Sequence, residues 1–311
     1  MNNNQPLVTI GIPTYNRADK FLISSLKSAL CQTYKNIEII VSDNCSTDNT
    51  ESIVKDLTDP RVRYTKHPHN IGANNNFNYC IEQARGQYFL LLPDDDLIDE
   101  DFIETCMNAV DGDTEVGIIR TGTRVVNGLG EIQAECLNPA KGLSTEDFLL
   151  AWFNNEITLY LCSTLFNTKR LKEIGGLHST HNLFQDVVTE VKLLSKYGHA
   201  DAYNIKASFC RHDENIGSAA KVLEWCEDSA FLLDTIIKSV SDNYSLIKKN
   251  GSIFLSKKVY GHATNIKSPI KRFYMYIIVY RTFGYQYSPV RYLYNENIRP
   301  ILYRLRNKFK K

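Results

Sequence analysis

Three consecutive aspartates, Asp94, Asp95 and Asp96, follow the apolar run Tyr88 to Leu92 across a single proline, Pro93. Carboxylates set side by side at the end of a buried segment repel one another and are costly unless a positive charge offsets them. A hard divalent cation, Mg²⁺ or Mn²⁺, is the natural partner, and such ions complete their shell with substrate phosphates and water. Asp95 and Asp96 are the expected members of that site. Asp99, Glu100 and Asp101 read differently, as acids that favour the positive N-terminus of a helix opening at Phe102. A second group comprises Pro13, Thr14, Tyr15, Asn16 and Arg17 together with Asp43. An aromatic ring offers a face on which a base can stack, and a carboxylate nearby can accept from a base or ribose. Taken singly these residues are a turn and a helix cap. Together with the acidic run they point to a nucleotide held beside a metal.

The elements that would position these residues alternate. Short β-rich runs at Val8 to Ile12, Ile37 to Val41, Val62 to Thr65 and Tyr88 to Leu92 are separated by helical patterns. The clearest of these is Phe77, Cys80, Ile81 and Ala84 at i, i+3, i+4 and i+7. Strands separated by helices of this length predict a largely parallel sheet with right-handed crossovers. Ligands bind such sheets at the carboxyl ends of the strands, where all three polar clusters fall. Further on, Ser144 to Asp147 resembles a capping box that opens a helix carrying Phe148, Leu149 and Trp152. Leu159 to Phe166 reads as a strand, and Val187, Val191 and Leu194 mark a helix beginning at Gln185 and Asp186. From Val222 to Val240 the pattern is one long helical stripe, and no convincing strand follows it.

The ordered series Val8-Thr-Ile-Gly-Ile-Pro-Thr-Tyr-Asn-Arg17, Ile39-Ile-Val-Ser-Asp43 with Ser46-Thr47-Asp48, Asn70-Ile-Gly72 and Leu91-Leu-Pro-Asp-Asp-Asp96 resembles the family 2 nucleotide-sugar glycosyltransferases. The resemblance runs over roughly residues 8 to 217. It implies the α/β GT-A fold: a Rossmann-like, mixed and mainly parallel sheet flanked by helices, here with a helical C-terminal extension. It also implies an inverting transfer from a nucleoside-diphosphate sugar, UDP-linked, to a glycan or lipid-linked glycan, as in surface polysaccharide or glycolipid assembly. By that similarity Thr14, Tyr15 and Asp43 contact the base, Asp95 the ribose, and Asp96 the Mn²⁺ or Mg²⁺ that bridges the diphosphate. Pro13, Arg17, Asn70, Asn74 and Asp94 join the donor site. Asp186, after Gly175-Gly176-Leu177, stands where the family places its general base, with Gln185 where Glu is usual; its plainer role is to cap its own helix. Phe209-Cys210-Arg211-His212 resembles a later segment whose histidine approaches the metal. Two departures stand out. Pro93 replaces a common aspartate, and Asn74-Asn75-Asn76-Phe77 replaces a stretch that usually carries Arg, leaving Arg17 or Lys66 to supply positive charge.

At 311 residues, with 43% hydrophobic and 23% charged residues, the chain can bury a full core. Residues 1–220 read as the transferase domain, with a nucleotide half to about residue 98 and an acceptor half beyond it, and 221–311 as a helical, basic region. The net charge of +1 excludes a general affinity for nucleic acid. From Lys267 to Lys311, however, eleven Lys and Arg face a single acid, Glu296. Ile298, Ile301, Leu302, Leu305 and Phe309 fall at helical spacing there, and Ile270, Phe273, Tyr274, Ile277 and Ile278 form another stripe upstream. Such a tail packs on the domain or docks on an anionic lipid surface. Eight scattered cysteines without zinc-type spacing read as reduced thiols of a cytoplasmic protein, peripheral on the membrane at most. No apolar run reaches the roughly 18–20 residues needed to span a bilayer. Three other functions fit parts of the pattern: an aspartyl phosphatase, for which Cys45 stands where a second carboxylate is needed; a metal-dependent nucleotidyltransferase, which would want a glycine-rich basic loop; and a non-catalytic nucleotide-sugar binder.

Overall fold

The computed structural model describes residues 5–110, 115–212 and 221–299. The boundary expected near residue 220 and the stripe of Ile301, Leu302, Leu305 and Phe309 lie outside these residues. The chain forms two compact units, Met1–His178 with Phe184–Asn215, and Ser179–Leu183 with Ile216–Lys311.

The first unit is built on one nine-stranded sheet in the order β3-β2-β1-β4-β8-β6-β9-β5, with β7 paired to β6. β1 (Val8–Thr14), β2 (Ile37–Asp43), β3 (Val62–Lys66) and β4 (Tyr88–Leu91) are mutually parallel. β4 is apolar without interruption and buried throughout, as a strand covered by helices on both faces requires, whereas β3 at the sheet edge is only partly buried. The connecting helices are α1 (Ile23–Leu30), α2 (Thr50–Lys55) and α3 (Ala73–Gln83). α3 lies so close to β1 that a Cβ on Gly11 would sit 2.7 Å from the Cβ of Cys80. The remaining elements are β5 (Leu97–Ile98), α4 (Phe102–Ala109), β6 (Ile118–Asn127), β7 (Ile132–Cys136), α5 (Thr145–Phe153), β8 (Thr164–Asn167), α6 (Thr168–Glu173), α7 (Gln185–Tyr197) and β9 (His199–Arg211). β8 runs antiparallel to β4 and β6, while β6 and β9 are parallel. The sheet is therefore parallel only over its nucleotide half and mixed beyond it.

The strand expected at Leu159 to Phe166 is shorter, beginning at Thr164 after a 3₁₀ turn at Leu161–Ser163. Ser144 does cap α5, its hydroxyl accepting from the Asp147 amide at 3.1 Å. Asp99 and Asp101 do more than flank a helix: Arg124 grips Asp99 through two nitrogens at 2.7 and 3.1 Å, and Lys206 pairs with Asp101 at 2.5 Å.

The second unit comprises α8 (Val222–Lys238), α9 (Tyr244–Thr264), α10 (Pro269–Thr282) and α11 (Pro289–Leu293). Its core is aromatic. Tyr260 is fully buried, donates to the Tyr287 carbonyl at 2.9 Å and is ringed by Tyr276, Tyr287 and Tyr292. Asp228, also buried, accepts from the Ser179 hydroxyl and from the amides of His181 and Leu183. No described helix is long and apolar enough to cross a membrane. All eight cysteines are described and none forms a disulfide.

Candidate active site

Strand order reverses at β1, with β2 on one side and β4 on the other, which opens a crevice at their carboxyl ends. Register places Thr14 beside Asp43, and Asp43 beside Lys66, on that rim. The loops above it are laced together. The Asn16 amide donates to Ser46 Oγ at 2.9 Å, Thr47 donates to Asn16 Oδ1 at 2.8 Å, and Ala18 donates to Asp48 at 3.0 Å. Asn16 sits at φ 53°, a conformation that asparagine tolerates better than most residues. The turn leaves Tyr15 45% exposed.

Arg17 reaches across to the acidic run. Its Nη1 lies 2.9 Å from Asp95 Oδ2 and 3.8 Å from Asp94 Oδ1. His212, just past the end of β9, brings Nε2 to 2.8 Å from the same Asp95 oxygen and stacks on Phe21 with ring centres 4.9 Å apart. β9 runs parallel to β6 and so delivers His212 to the rim that β4 delivers Asp95 to. Lys66 is not the cation here, because it pairs with Glu51 at 3.0 Å. Burial, reinforced by the Asp95 charge, pushes Asp94 up to about 7, against the pull of the Thr14 hydroxyl, Arg17 and the Tyr15 amide.

Asp96, expected at the metal, lies deeper than its neighbours. It is 2% exposed and turned inward, its Oδ1 accepting from the Cys210 amide at 2.8 Å, and burial holds it well above the ordinary carboxylate range. Asp96 and His212 were both expected at the metal; in the structure the side chain beside His212 is that of Asp95. Four of the residues expected to touch the donor, on β1, β2, the loop before α3 and α3 itself, are also engaged within the protein. Pro13 is buried within β1. Asp43 is fully buried, one oxygen accepting from the Ser46 amide at 2.7 Å and the other from Tyr64 Oη at 2.6 Å. Asn70 Oδ1 accepts from Asn44 Nδ2 and from the Gly72 amide, closing the turn before α3. Asn74 Oδ1 accepts from Asn78 Nδ2 at 3.3 Å.

Asn78 also clasps Leu177 through both backbone groups, accepting its N–H at 2.9 Å and donating to its carbonyl at 3.0 Å. Gly176 has φ 75°, and any Cβ there would collide with Asn78 Oδ1. This clasp anchors the segment ahead of α7. At its other end α7 stops at Gly198 against the start of β6, where the Gly117 amide meets the Tyr197 and Gly198 carbonyls. Asp186 lies in the first turn of α7, at the end of the helix away from that contact. Asp186 does not cap the helix, for which Phe184 is the N-cap residue; its Oδ1 accepts from the next amide, Val187. Gln185 is buried, and its Oε1 has no hydrogen-bond partner.

One turn below Asp186, the sequence reading missed a buried ionic cluster. Glu190 and Arg120 are fully buried, with Nε 3.7 Å from Oε2, and Arg120 Nη1 lies 3.8 Å from Asp201. Asp201 also meets His199 and accepts from Asn138 at 2.8 Å. Burial, which outweighs the attraction of Arg120, pushes Glu190 up to about 8.

Residues 9–156 match the model for glycosyl transferase family 2. A GalNAc(5)-diNAcBac-PP-undecaprenol beta-1,3-glucosyltransferase from Campylobacter jejuni subsp. jejuni is 32% identical over 176 residues, 54% of this chain; the chain thus spans 55% of that relative's length. S. aureus TarS 1-349 in complex with UDP-GlcNAc superposes with a TM-score of 0.66 at 17% identity, over 89% of this chain and 80% of that one. The mannosyltransferase PcManGT from Pyrobaculum calidifontis, in complex with GDP-Man and Mn²⁺, superposes with a TM-score of 0.54 at 16% identity, over 95% and 89%. The fold is thus that of GT-A glycosyltransferases.

Proposed function

Because the chain belongs to glycosyl transferase family 2, we propose that it transfers a sugar from a nucleoside-diphosphate donor to an acceptor hydroxyl, with inversion at the anomeric carbon. The observation that carries this reading is Asp95 held between Arg17 and His212 at the switch point of the sheet. One guanidinium is set against two carboxylates there, Asp95 at 2.9 Å and Asp94 at 3.8 Å, and burial pushes Asp94 toward its neutral form. A divalent cation would offset the repulsion between Asp94 and Asp95 that burial otherwise relieves by protonation. Carboxylate oxygen and imidazole nitrogen are donors that Mn²⁺ accepts and, through oxygen, Mg²⁺ as well. Among the described residues no three acidic, His or Cys side chains form a cation-holding group. The protein would thus contribute Asp95 and His212, leaving other positions to donor phosphates and water. When bound, the cation neutralises charge that develops on the leaving diphosphate.

The remaining work falls to the chain itself. The exposed Tyr15 face stacks the base, with Thr14 and Asp43 beneath it. Tyr64 and the Ser46 amide hold the Asp43 carboxylate rigid for a further bond from the base. Arg17 supplies fixed positive charge to the phosphates. Asp186 accepts the proton of the attacking hydroxyl, and a single base with a single displacement gives inversion. A UDP-linked sugar is our preferred donor, by analogy with the UDP-GlcNAc complex of the structural neighbour. A lipid-linked glycan is our preferred acceptor, by analogy with the undecaprenol-linked substrate in the Campylobacter relative's name. Eight cysteines without a disulfide accord with a reducing, cytoplasmic setting.

Incubation with labelled nucleotide sugars and Mn²⁺ tests the reading. Release of nucleoside diphosphate and free sugar is the expected result. Pyrophosphate would indicate nucleotidyl transfer instead, and inertness toward every donor would indicate a binding protein.

A further inference from the structure

Among the described residues, most of the apolar stripe on α10 is left exposed, with Ile277 at its more covered end. Ile270, Phe273, Tyr274 and Ile277 stand at i, i+3, i+4 and i+7, so they share one helical face, and the first three are 83%, 64% and 62% exposed. The opposite face, with Tyr276 and Val279, supplies the buried contacts of the unit. A monomer in water gains nothing by displaying four large side chains in a row, and such a patch marks a docking site. Its flanks are cationic. Lys267 precedes the stripe, Lys271 lies beside it and Arg281 continues it, all exposed. The surrounding sequence carries no opposing charge: from Asn243 to Asn295 there are nine Lys and Arg (248, 249, 257, 258, 267, 271, 272, 281 and 291) and no Asp or Glu.

We propose that this face of α10 docks the protein on an anionic lipid surface, with the four apolar side chains entering the headgroup boundary and the cations meeting lipid phosphates. A helix lying in the interface needs this combination of bulky apolar residues on one face and Lys or Arg beside them. The charge excludes the other occupants. A second copy would bring the same positive face against itself. The chain's own C-terminal segment, with Arg299, Arg304, Arg306, Lys308, Lys310 and Lys311, is equally basic. A nucleic acid would pair with the cations and leave Ile270 and Phe273 in water. The inference stands on the second unit alone and does not depend on the donor site.

Flotation of the full chain with vesicles of phosphatidylcholine containing about 30 mol % phosphatidylglycerol, and with vesicles of phosphatidylcholine alone, is the test. The wild type is expected to float with the first and not with the second. The double variant Phe273→Ser, Ile277→Ser is expected to lose roughly tenfold or more of that partitioning, since two large apolar side chains leave the interface. Lys271→Glu, Arg281→Glu should weaken it in the same direction, and raised salt should weaken it further. All altered positions are exposed, and melting temperatures equal to the wild type establish that folding is intact. Equal flotation of wild type and the serine variant, or equal binding to neutral vesicles, overturns the proposal. So does a wild-type dimer in solution that the serine variant converts to monomer without any lipid binding by either.

Discussion

His212 Nε2 and Arg17 Nη1 approach the same oxygen of Asp95, at 2.8 and 2.9 Å, although their positions are separated by almost the whole length of the first unit. Two groups converge on one oxygen of Asp95, and with the Nε2 proton displaced by a cation the His212 ring would offer a nitrogen ligand beside it. Assigning the cation to this pair predicts that Asp95→Asn abolishes Mn²⁺-stimulated donor hydrolysis. His212→Ala should raise the Mn²⁺ concentration for half-maximal turnover by roughly 10–100-fold, the usual scale for losing a supporting group at a metal site. Turnover measured against Mn²⁺ concentration reads both, and identical curves for the wild type and the two variants would remove the assignment.

Asp96 should respond differently, because its carboxyl is occupied with the Cys210 amide. An asparagine in its place keeps an oxygen for that amide and is neutral, as the buried group itself prefers to be. Asp96→Asn is therefore expected to melt like the wild type and to retain its Mn²⁺ response. Asp96→Ala leaves the buried N–H of Cys210 without an acceptor and should cost about 1–3 kcal/mol of stability. Thermal melts and cation titrations of the two variants distinguish these roles. Loss of the cation response in the asparagine variant, with Asp95→Asn unaffected, would return the metal to Asp96.

Asp186 is expected to act on the acceptor and not on the donor. Asp186→Asn should lower transfer by ~10²–10⁴-fold, the range spanned by general bases. The thermal shift produced by a nucleotide sugar with Mn²⁺ should stay the same. Near-wild-type transfer in this variant would reject Asp186 as the base. Loss of the donor shift would make it a binding residue instead.

The nucleotide half was legible because its inner strands are buried and read as β-rich runs such as Tyr88 to Leu92, followed by the polar residues that form the rim. The helix carrying Asp186 was legible from Val187, Val191 and Leu194. β6 and β9 were not. β6 carries Arg120, Thr121 and Thr123 inward, and β9 alternates weakly, so neither shows an apolar pattern although β6 is central. The inward turn of Asp96 was hidden for a related reason. Which of three adjacent aspartates faces the crevice depends on the amide that β9 presents, a partner 114 positions away. The α10 stripe was visible as a periodicity, but periodicity alone does not say whether a face meets the core or the surroundings.

Glu190 supplies a test of the buried cluster beneath Asp186. Its pKa is raised from 4.5 to about 8 on folding, so the folded chain keeps a proton that the unfolded chain sheds throughout that interval. Stability from this group is complete at low pH, falls by up to ~1.4 kcal/mol per pH unit between about pH 4.5 and 8, and levels off above. Glutamine at this position resembles the neutral acid in shape and has no proton to lose. Arg120 keeps its charge partner in Asp201, whose carboxyl is held below the usual range, although burial opposes this, by His199, Arg120 and Asn138. Glu190→Gln is therefore expected to melt like the wild type at pH 5 and progressively above it as pH rises to 8, with a constant gap beyond. Melting curves of the two proteins across that range decide the matter. A variant that loses ground to the wild type as pH rises would mean that Glu190 is ionised in the fold, paired with Arg120 as a true salt bridge, and that Asp186 stands one helical turn from a second negative charge.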